Sequence, residues 1–243
     1  MRVVRERRRQ RARLTLVTAD LYAGARQRII SLVNEAGVDA IARRIVPATP
    51  KWTVHHLLAH LRGEIADIAD NNLEGAPGDE WTAKQVARWA DTPIPVLLHE
   101  WDHDSKYVEA LLRSGTAGPF SVPLVMDIHA HEQDLRGLLG TPGERTGAFY
   151  EWAVPILGGR IAERVAKAGL APMALLTPLG RFGSDDASVT LTISEWEYTR
   201  VAFGRRSLTQ VCKLDWSGTD NPSAYAPLLS RFGLSATPLL ETP

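Results

Sequence analysis

Asp127-Ile-His-Ala-His131-Glu-Gln-Asp134 is the stretch on which the fold turns. Asp127 and His131 are four residues apart; on a helix they point the same way, one turn from each other. Upstream lies a second polar window, Lys51-Trp-Thr-Val-His-His-Leu-Leu-Ala-His60, and His60 adds a third N/O donor. All seven histidines of the chain fall between residues 55 and 131. Three N/O ligands without a cysteine leave a coordination position for water or a substrate atom, the mark of a catalytic rather than a structural site. A divalent metal held there activates a water or binds a thiolate. Donors from separate helices converge in the interior of an antiparallel bundle, where facing helices commonly build metal sites.

The surrounding sequence supplies such helices. Leu14 to Gly37 carries a helical apolar repeat (Leu14, Val17, Leu21, Ile29, Leu32, Val33) and ends at a glycine suited to a helix C-terminus. A second helix is expected from an N-cap at Thr53 to about Asn72. After the loop Glu74-Gly-Ala-Pro-Gly-Asp-Glu, a third starts near Thr82, breaks at Asp91-Thr-Pro-Ile-Pro95 and resumes from Val96 to Leu112. The fourth runs from about Val122 to Leu139 and stops at Gly140-Thr-Pro-Gly143. Beyond it the pattern changes. Phe149 to Ala168 reads as one amphipathic helix, then Met173–Phe182 and Ser188–Ile193 as two strands with Gly183-Ser-Asp-Asp as the hairpin turn. Ser194 caps a helix through about Lys213, and Tyr225 to Phe232 forms a short last helix. The expected architecture is α+β and mainly α. A basic tail over residues 1–13 precedes a four-helix bundle over 14–143, and a small α/β domain occupies 147–243.

Composition narrows the function classes. At 243 residues the chain can bury a real core. Lys+Arg and Asp+Glu balance at 28 each, so no global field favours nucleic acid or an anionic membrane. Met1–Arg13 concentrates seven arginines and one glutamate; a disordered tail or a start codon set too far upstream accounts for it. A twin-arginine export signal does not, because Leu14-Thr-Leu-Val-Thr-Ala-Asp20 is too short and too polar for a signal core. No apolar run approaches a membrane span. The single cysteine, Cys212, rules out an internal disulfide and fits a reducing cytoplasm; its neighbours Leu208, Val211 and Leu214 mark it as a packed thiol.

Each candidate also has a plainer account. Alone, a histidine among leucines, as His60 is, reads first as a core residue. Asp134 is placed to orient His131 from behind or to pair with Arg136. His55, His56 and His129 read as surface histidines, although His56 is also four before His60. His99-Glu-Trp-Asp-His103 has zinc-peptidase spacing, but no suitable third histidine follows and no edge strand is at hand for a peptide.

At these residues the chain resembles the mycothiol-dependent maleylpyruvate isomerase family, whose N-terminal half belongs to the DinB-like metalloprotein superfamily. The resemblance spans roughly residues 14 to 235 and rests on three motifs. These are Val46-Pro-Ala-Thr-Pro-Lys-Trp-Thr-Val with Leu-Ala-His60-Leu, Asp127-x-x-x-His131-x-x-Asp134-x-Arg136 with Leu139-Gly140, and Gly204-Arg-Arg-Ser207 followed by Gln210. It implies a DinB-like four-helix bundle and a C-terminal domain like sterol carrier proteins. It further implies a divalent metal, usually Zn2+, on His60, Asp127 and His131, with mycothiol as thiol cosubstrate. The family's acid is commonly glutamate; aspartate here is one methylene shorter and still an ordinary zinc ligand. A catalytic arginine of the family matches Arg205 or, alternatively, Arg206; Arg205 is taken as the catalytic group and Arg206 as a cofactor-binding one. In the family such a guanidinium reaches across the domain cleft to hold a carboxylate. Read without the family, both arginines are a solvated helix face. The implied activity is thiol addition to a small electrophile as an S-transferase. Maleylpyruvate isomerisation is the alternative, and a non-catalytic metal-containing binding or stress protein a further one. The expected protein is a cytoplasmic monomer, its second domain covering bundle surface that would otherwise seek a partner.

Overall fold

A computed structural model describes residues 2–143 and 145–241, with side chains described from residue 17 onward. The basic tail expected over residues 1–13 lies outside the residues whose side chains are described. The chain divides into two compact units, Met1–Thr141 and Pro142–Pro243. Mainly helical, with one small sheet, it has the expected α+β class. No described helix is long and apolar enough to cross a membrane.

The first unit contains α1 (Arg2–Ala36), the short α2 (Val38–Ile41), α3 (Val54–Ala69), α4 (Asp79–Arg88), α5 (Ile94–Ser114), a 3-10 turn (Gly118–Phe120) and α6 (Ser121–Leu139). The long helices close into a four-helix bundle: α1 packs on α5 and α6, and α3 packs on the same two. Its core is apolar and fully buried, with Ile29 from α1, Leu57, Leu61 and Ile65 from α3, Leu97 and Trp101 from α5, and Leu124 and Ile128 from α6. Trp101 donates its indole N–H to the Tyr22 hydroxyl, so the largest core ring leaves no polar atom unmet. α3 starts where its capping chemistry dictates. The Thr53 hydroxyl accepts from the His56 backbone N–H, and the His56 ring accepts from the Thr53 N–H. α6 ends at Gly140, whose φ of 66° is a left-handed conformation natural to glycine.

α4 is an extra helix laid on α3, and one glycine permits it. A Cβ on Gly63 would sit 2.6 Å from the Gln85 Cβ, closer than real side chains approach. Gly63→Ala therefore pushes α4 away. Overpacking of this kind costs about 1–3 kcal/mol, against about 1 kcal/mol gained in helix propensity. A net loss of about 1 kcal/mol in urea unfolding is expected, and a variant as stable as its parent would show the contact to be looser.

The second unit contains α7 (Ala148–Gly158), α8 (Ile161–Lys167), β1 (Met173–Thr177), β2 (Gly180–Gly183), β3 (Val189–Thr192), α9 (Glu195–Ala202), α10 (Leu208–Cys212), β4 (Asp215–Ser217) and α11 (Pro222–Leu229). The strand order is β2-β1-β3-β4. Its core joins Met173, Leu175, Val189 and Leu191 of the sheet to Ile161, Val165, Tyr198 and Val201 of the helices.

Several expectations are corrected here. The single helix over 149–168 breaks after Gly158, where Pro155, Gly158 and Gly159 cluster and the Gly158 backbone packs against Phe182. The expected strand 173–182 folds back on itself. Pro178 cannot donate to a ladder, and Gly180 at φ 130° turns the chain into β2, antiparallel to β1. The Gly183–Asp186 stretch is consequently no hairpin: it passes the start of β1 and leads into β3, which runs parallel to β1. Gly183 permits this passage at φ 122°, because a Cβ would lie 2.4 Å from the Met173 carbonyl oxygen. The helix expected from Ser194 to Lys213 is broken at Gly204, φ 73°, which separates α9 from α10. Arg205 and Arg206 thus lie on a linker rather than a helix face.

Candidate metal centre

α6 is unusual in burying polar groups on several sides, with His129, His131, Glu132 and Asp134 all inside. Their partners explain how the helix tolerates this. Glu132 takes a two-point hydrogen bond from Arg28 of α1, at 2.8 and 2.7 Å, and a third from Arg136 at 2.9 Å. These charge-assisted bonds hold its carboxylate below the usual range against the opposing effect of burial. α1 and α6 are thereby pinned together beside the site.

One turn N-terminal to His131, Asp127 faces His60 of α3. The Asp127 Oδ2 is 3.1 Å from His60 Nε2 and 3.6 Å from His131 Nε2. One donor atom from each of His60, Asp127 and His131 lies within 4.8 Å of the others, and this is the metal-suited cluster found among the described residues. Both imidazoles are buried, whereas the Asp127 side chain is 35% exposed. The cluster thus opens to solvent on its carboxylate side. Trp52 closes another side, its ring centroid 5.1 Å from His60 and 5.7 Å from His131. The Val46–Trp52 loop holds it there through Val46 N–H to Trp52 O and Trp52 N–H to Thr49 O.

The rear nitrogens decide what the front ones offer. His131 Nδ1 lies 3.1 Å from Asp134 Oδ2, and a carboxylate only accepts, so Nδ1 carries the hydrogen and Nε2 faces the cluster as a lone pair. Of the two partners open to Asp134 in the sequence, the structure takes His131, and Arg136 pairs with Glu132. His60 Nδ1 lies 2.8 Å from Gln85 Oε1. Gln85 donates in turn to Asp67 Oδ2 at 2.9 Å. Two imidazole lone pairs and a carboxylate oxygen then meet at one point, an arrangement that calls for a positive charge. A proton is one answer: burial opposes it, but the Asp127 hydrogen bond and charge raise the His60 pKa to about 9. A divalent cation is the other, and this donor set suits one. Glu64, one turn after His60, is buried enough to lift its carboxyl to about 8, with the Asp127 charge adding to the effect.

The remaining histidines are occupied elsewhere. His55 Nε2 meets the Thr92 carbonyl at 2.8 Å, and His56 serves the α3 cap. His129 is buried beside Glu132, and its pKa is pushed down to about 4 by burial. His99 and His103 of the peptidase-like stretch are exposed on α5 and belong to no metal-suited cluster among the described residues. Arg205 is half-buried and donates to the Phe203 carbonyl at 2.8 Å. Arg206 is buried. It forms two bonds to Glu197, at 2.6 and 2.8 Å, and one to Glu241 at 2.6 Å. Gln85, Asp67 and the wall formed by Trp52 went unrecognised in the sequence. No local spacing joins Gln85 to His60, because they sit on different helices.

No protein-family model matches the chain, and no curated protein matches it. Among solved structures it is similar to the crystal structure of the mycothiol-dependent maleylpyruvate isomerase. The likeness covers 81% of this chain and 89% of that one, at 16% identity and a TM-score of 0.50. At that identity the two share a fold, which is an enzyme's fold in the neighbour.

Proposed function

We propose that this chain is a metal-dependent enzyme joining a low-molecular-weight thiol, mycothiol, to a small electrophile as an S-transferase. The observation that carries this reading is the convergence of two oriented imidazole nitrogens and one solvent-facing carboxylate, with no cysteine among them. The fold likeness to a mycothiol-dependent enzyme supports the choice of thiol. His60, Asp127 and His131 would hold the cation, Zn2+ being the ordinary occupant of such a set. A bound divalent cation favours thiolate over thiol near neutral pH.

The chain's own residues do the rest. Trp52 shields the imidazoles from water, and Asp134 keeps the His131 lone pair forward. Thiol addition forms a carbon–sulfur bond. The electron pair leaves with the displaced group in a substitution, or takes a proton at the neighbouring carbon in a conjugate addition. We assign Arg205 the substrate carboxylate, which a guanidinium binds with two parallel hydrogen bonds. Arg206 is engaged by Glu197 and Glu241, and we assign it the task of fixing the segment that carries Arg205. The second reading is cis–trans isomerisation by reversible thiol addition, favoured by the activity named for the structural neighbour.

Zinc-loaded protein incubated with mycothiol and a panel of epoxides, alkyl halides and cis-enoic acids separates these readings. Mass spectrometry detects the thioether product of a transferase, and NMR the trans acid of an isomerase. Arg205→Ala is expected to slow turnover of carboxylate-bearing substrates on the order of 10–100-fold, the worth of a charged hydrogen bond of about 1.5–3 kcal/mol. Zinc content should stay unchanged. Unaltered turnover would remove Arg205 from the mechanism, and no thiol chemistry on any electrophile would leave a metal-containing binding protein.

A further inference from the structure

We propose that Asp67 and Gln85 form a relay that determines which ring nitrogen of His60 faces the metal position, so both are positioning residues of the site. This inference rests on the metal-enzyme reading above. Asp67 is 1% exposed, and its Oδ1 accepts from Arg88 at 2.7 Å and from Asn72 at 2.9 Å. Its Oδ2 is left to Gln85 Nε2, at 2.9 Å. A carboxylate paired with arginine only accepts, so the Gln85 amide turns its NH2 toward Asp67 and its oxygen toward His60. That oxygen also only accepts, so the hydrogen of the imidazole sits on Nδ1, 2.8 Å away. Nε2, which donates to Asp127 Oδ2 at 3.1 Å and faces His131, is then the nitrogen left to give up its hydrogen and ligate a cation. Every link has a single polarity, and the first link sets it.

The surrounding structure is built for this chain of contacts. Gln85 is fully buried and His60 nearly so, which excludes water as a competing partner. Gly63 provides the room for α4 to come close enough: only the lack of a Cβ there lets the Gln85 backbone approach α3. His131 receives the same polarity from Asp134 directly. The two imidazoles therefore share one orientation, reached by one step on α6 and by two steps through α3 and α4.

Asp67→Asn tests the relay without touching His60 or Gln85. Arg88 and Asn72 demand an oxygen, so the new amide turns its NH2 toward Gln85. Gln85 must then present its own oxygen to that group and its NH2 to His60 Nδ1. The imidazole hydrogen moves to Nε2, where it blocks ligation. Adding Gln85→Glu restores an acceptor to both neighbours and keeps the total charge. Zinc affinity of the full chain, read by competition with a chromophoric chelator, should fall about 10–100-fold in the single variant. It should return to within about threefold of wild type in the double variant. Nitrogen-15 NMR of the zinc-loaded proteins should show His60 with hydrogen on Nδ1 in wild type and in the double variant. Gln85→Leu should weaken zinc like Asp67→Asn, and it stands in if that variant does not fold by circular dichroism. Wild-type affinity in both single variants overturns the relay while leaving the metal site intact, as does a double variant no better than Asp67→Asn. A wild-type protein that binds no zinc overturns the metal-enzyme reading and the relay with it.

Discussion

His131→Ala is expected to lose its divalent metal and its thiol binding together. The wild-type chain should hold about one zinc, since three protein ligands with one open position make a mononuclear site. Removing a ligand outright must cost more than the roughly 10–100-fold that follows from losing an outer partner. Neither neighbouring histidine is placed to replace it: His129 on the same helix is engaged beside Glu132, and His56 belongs to the α3 cap. Calorimetric titration of mycothiol into zinc-loaded wild type should give a binding isotherm that the variant lacks. Metal removal by a chelator should reproduce the variant's behaviour in the wild-type chain and lower its melting temperature, because the lost ligand had stabilised the native state alone. His99→Ala, on an exposed face of α5, should change none of this. Full zinc and thiol binding in His131→Ala would remove this cluster from the function.

The second large effect is on stability. Arg206→Ala should destabilise the protein by about 3–5 kcal/mol, the cost of removing one member of a buried ion pair. Arg200 and Arg206 face Glu197 and Glu241 in a network of balanced charge. Removing Arg206 leaves Glu197, whose side chain is only 21% exposed, without its two-point partner. It also takes a guanidinium from above the Trp196 ring, which it faces at 5.2 Å. Arg200 continues to hold Glu241, so the loss falls toward the lower end of that range. Thermal and urea unfolding of Arg206→Ala, Glu197→Ala and the double variant check it, and the double variant should lose less than the sum. Arg205→Ala should leave stability nearly unchanged and alter turnover alone. Equal stability of Arg206→Ala and wild type would mean that the network is not formed.

The contrast between these neighbouring arginines shows where one-dimensional reading stops. In sequence, Gly204-Arg-Arg-Ser207 offers two equivalent guanidinium groups. The break at Gly204 and the capping of α10 by Ser207 with Gln210 turn them in different ways. The same limit appears in the sheet. Alternation found strand material at 173–182 and 188–193, but it carries no information on whether neighbouring strands run parallel or antiparallel. The Pro178–Gly180 turn and the closeness of Gly183 to Met173 decided that.

What the sequence by itself determined is local. It includes the capped start of α3 at Thr53, the left-handed stop of α6 at Gly140, the mainly helical α+β class, and the i,i+4 pair of Asp127 and His131. Capping bonds and helical periodicity act within a few residues, so they are written directly into neighbouring letters. The sequence also grouped His60 with that pair, and the tertiary structure brings the three together; it alone decided that Trp52 covers both imidazoles and that Gln85 stands behind His60. Those contacts join distant segments, and they form because burying the apolar faces of α1, α3, α5 and α6 in one core leaves each helix little freedom to turn. Residues that share no local spacing thereby acquire fixed distances.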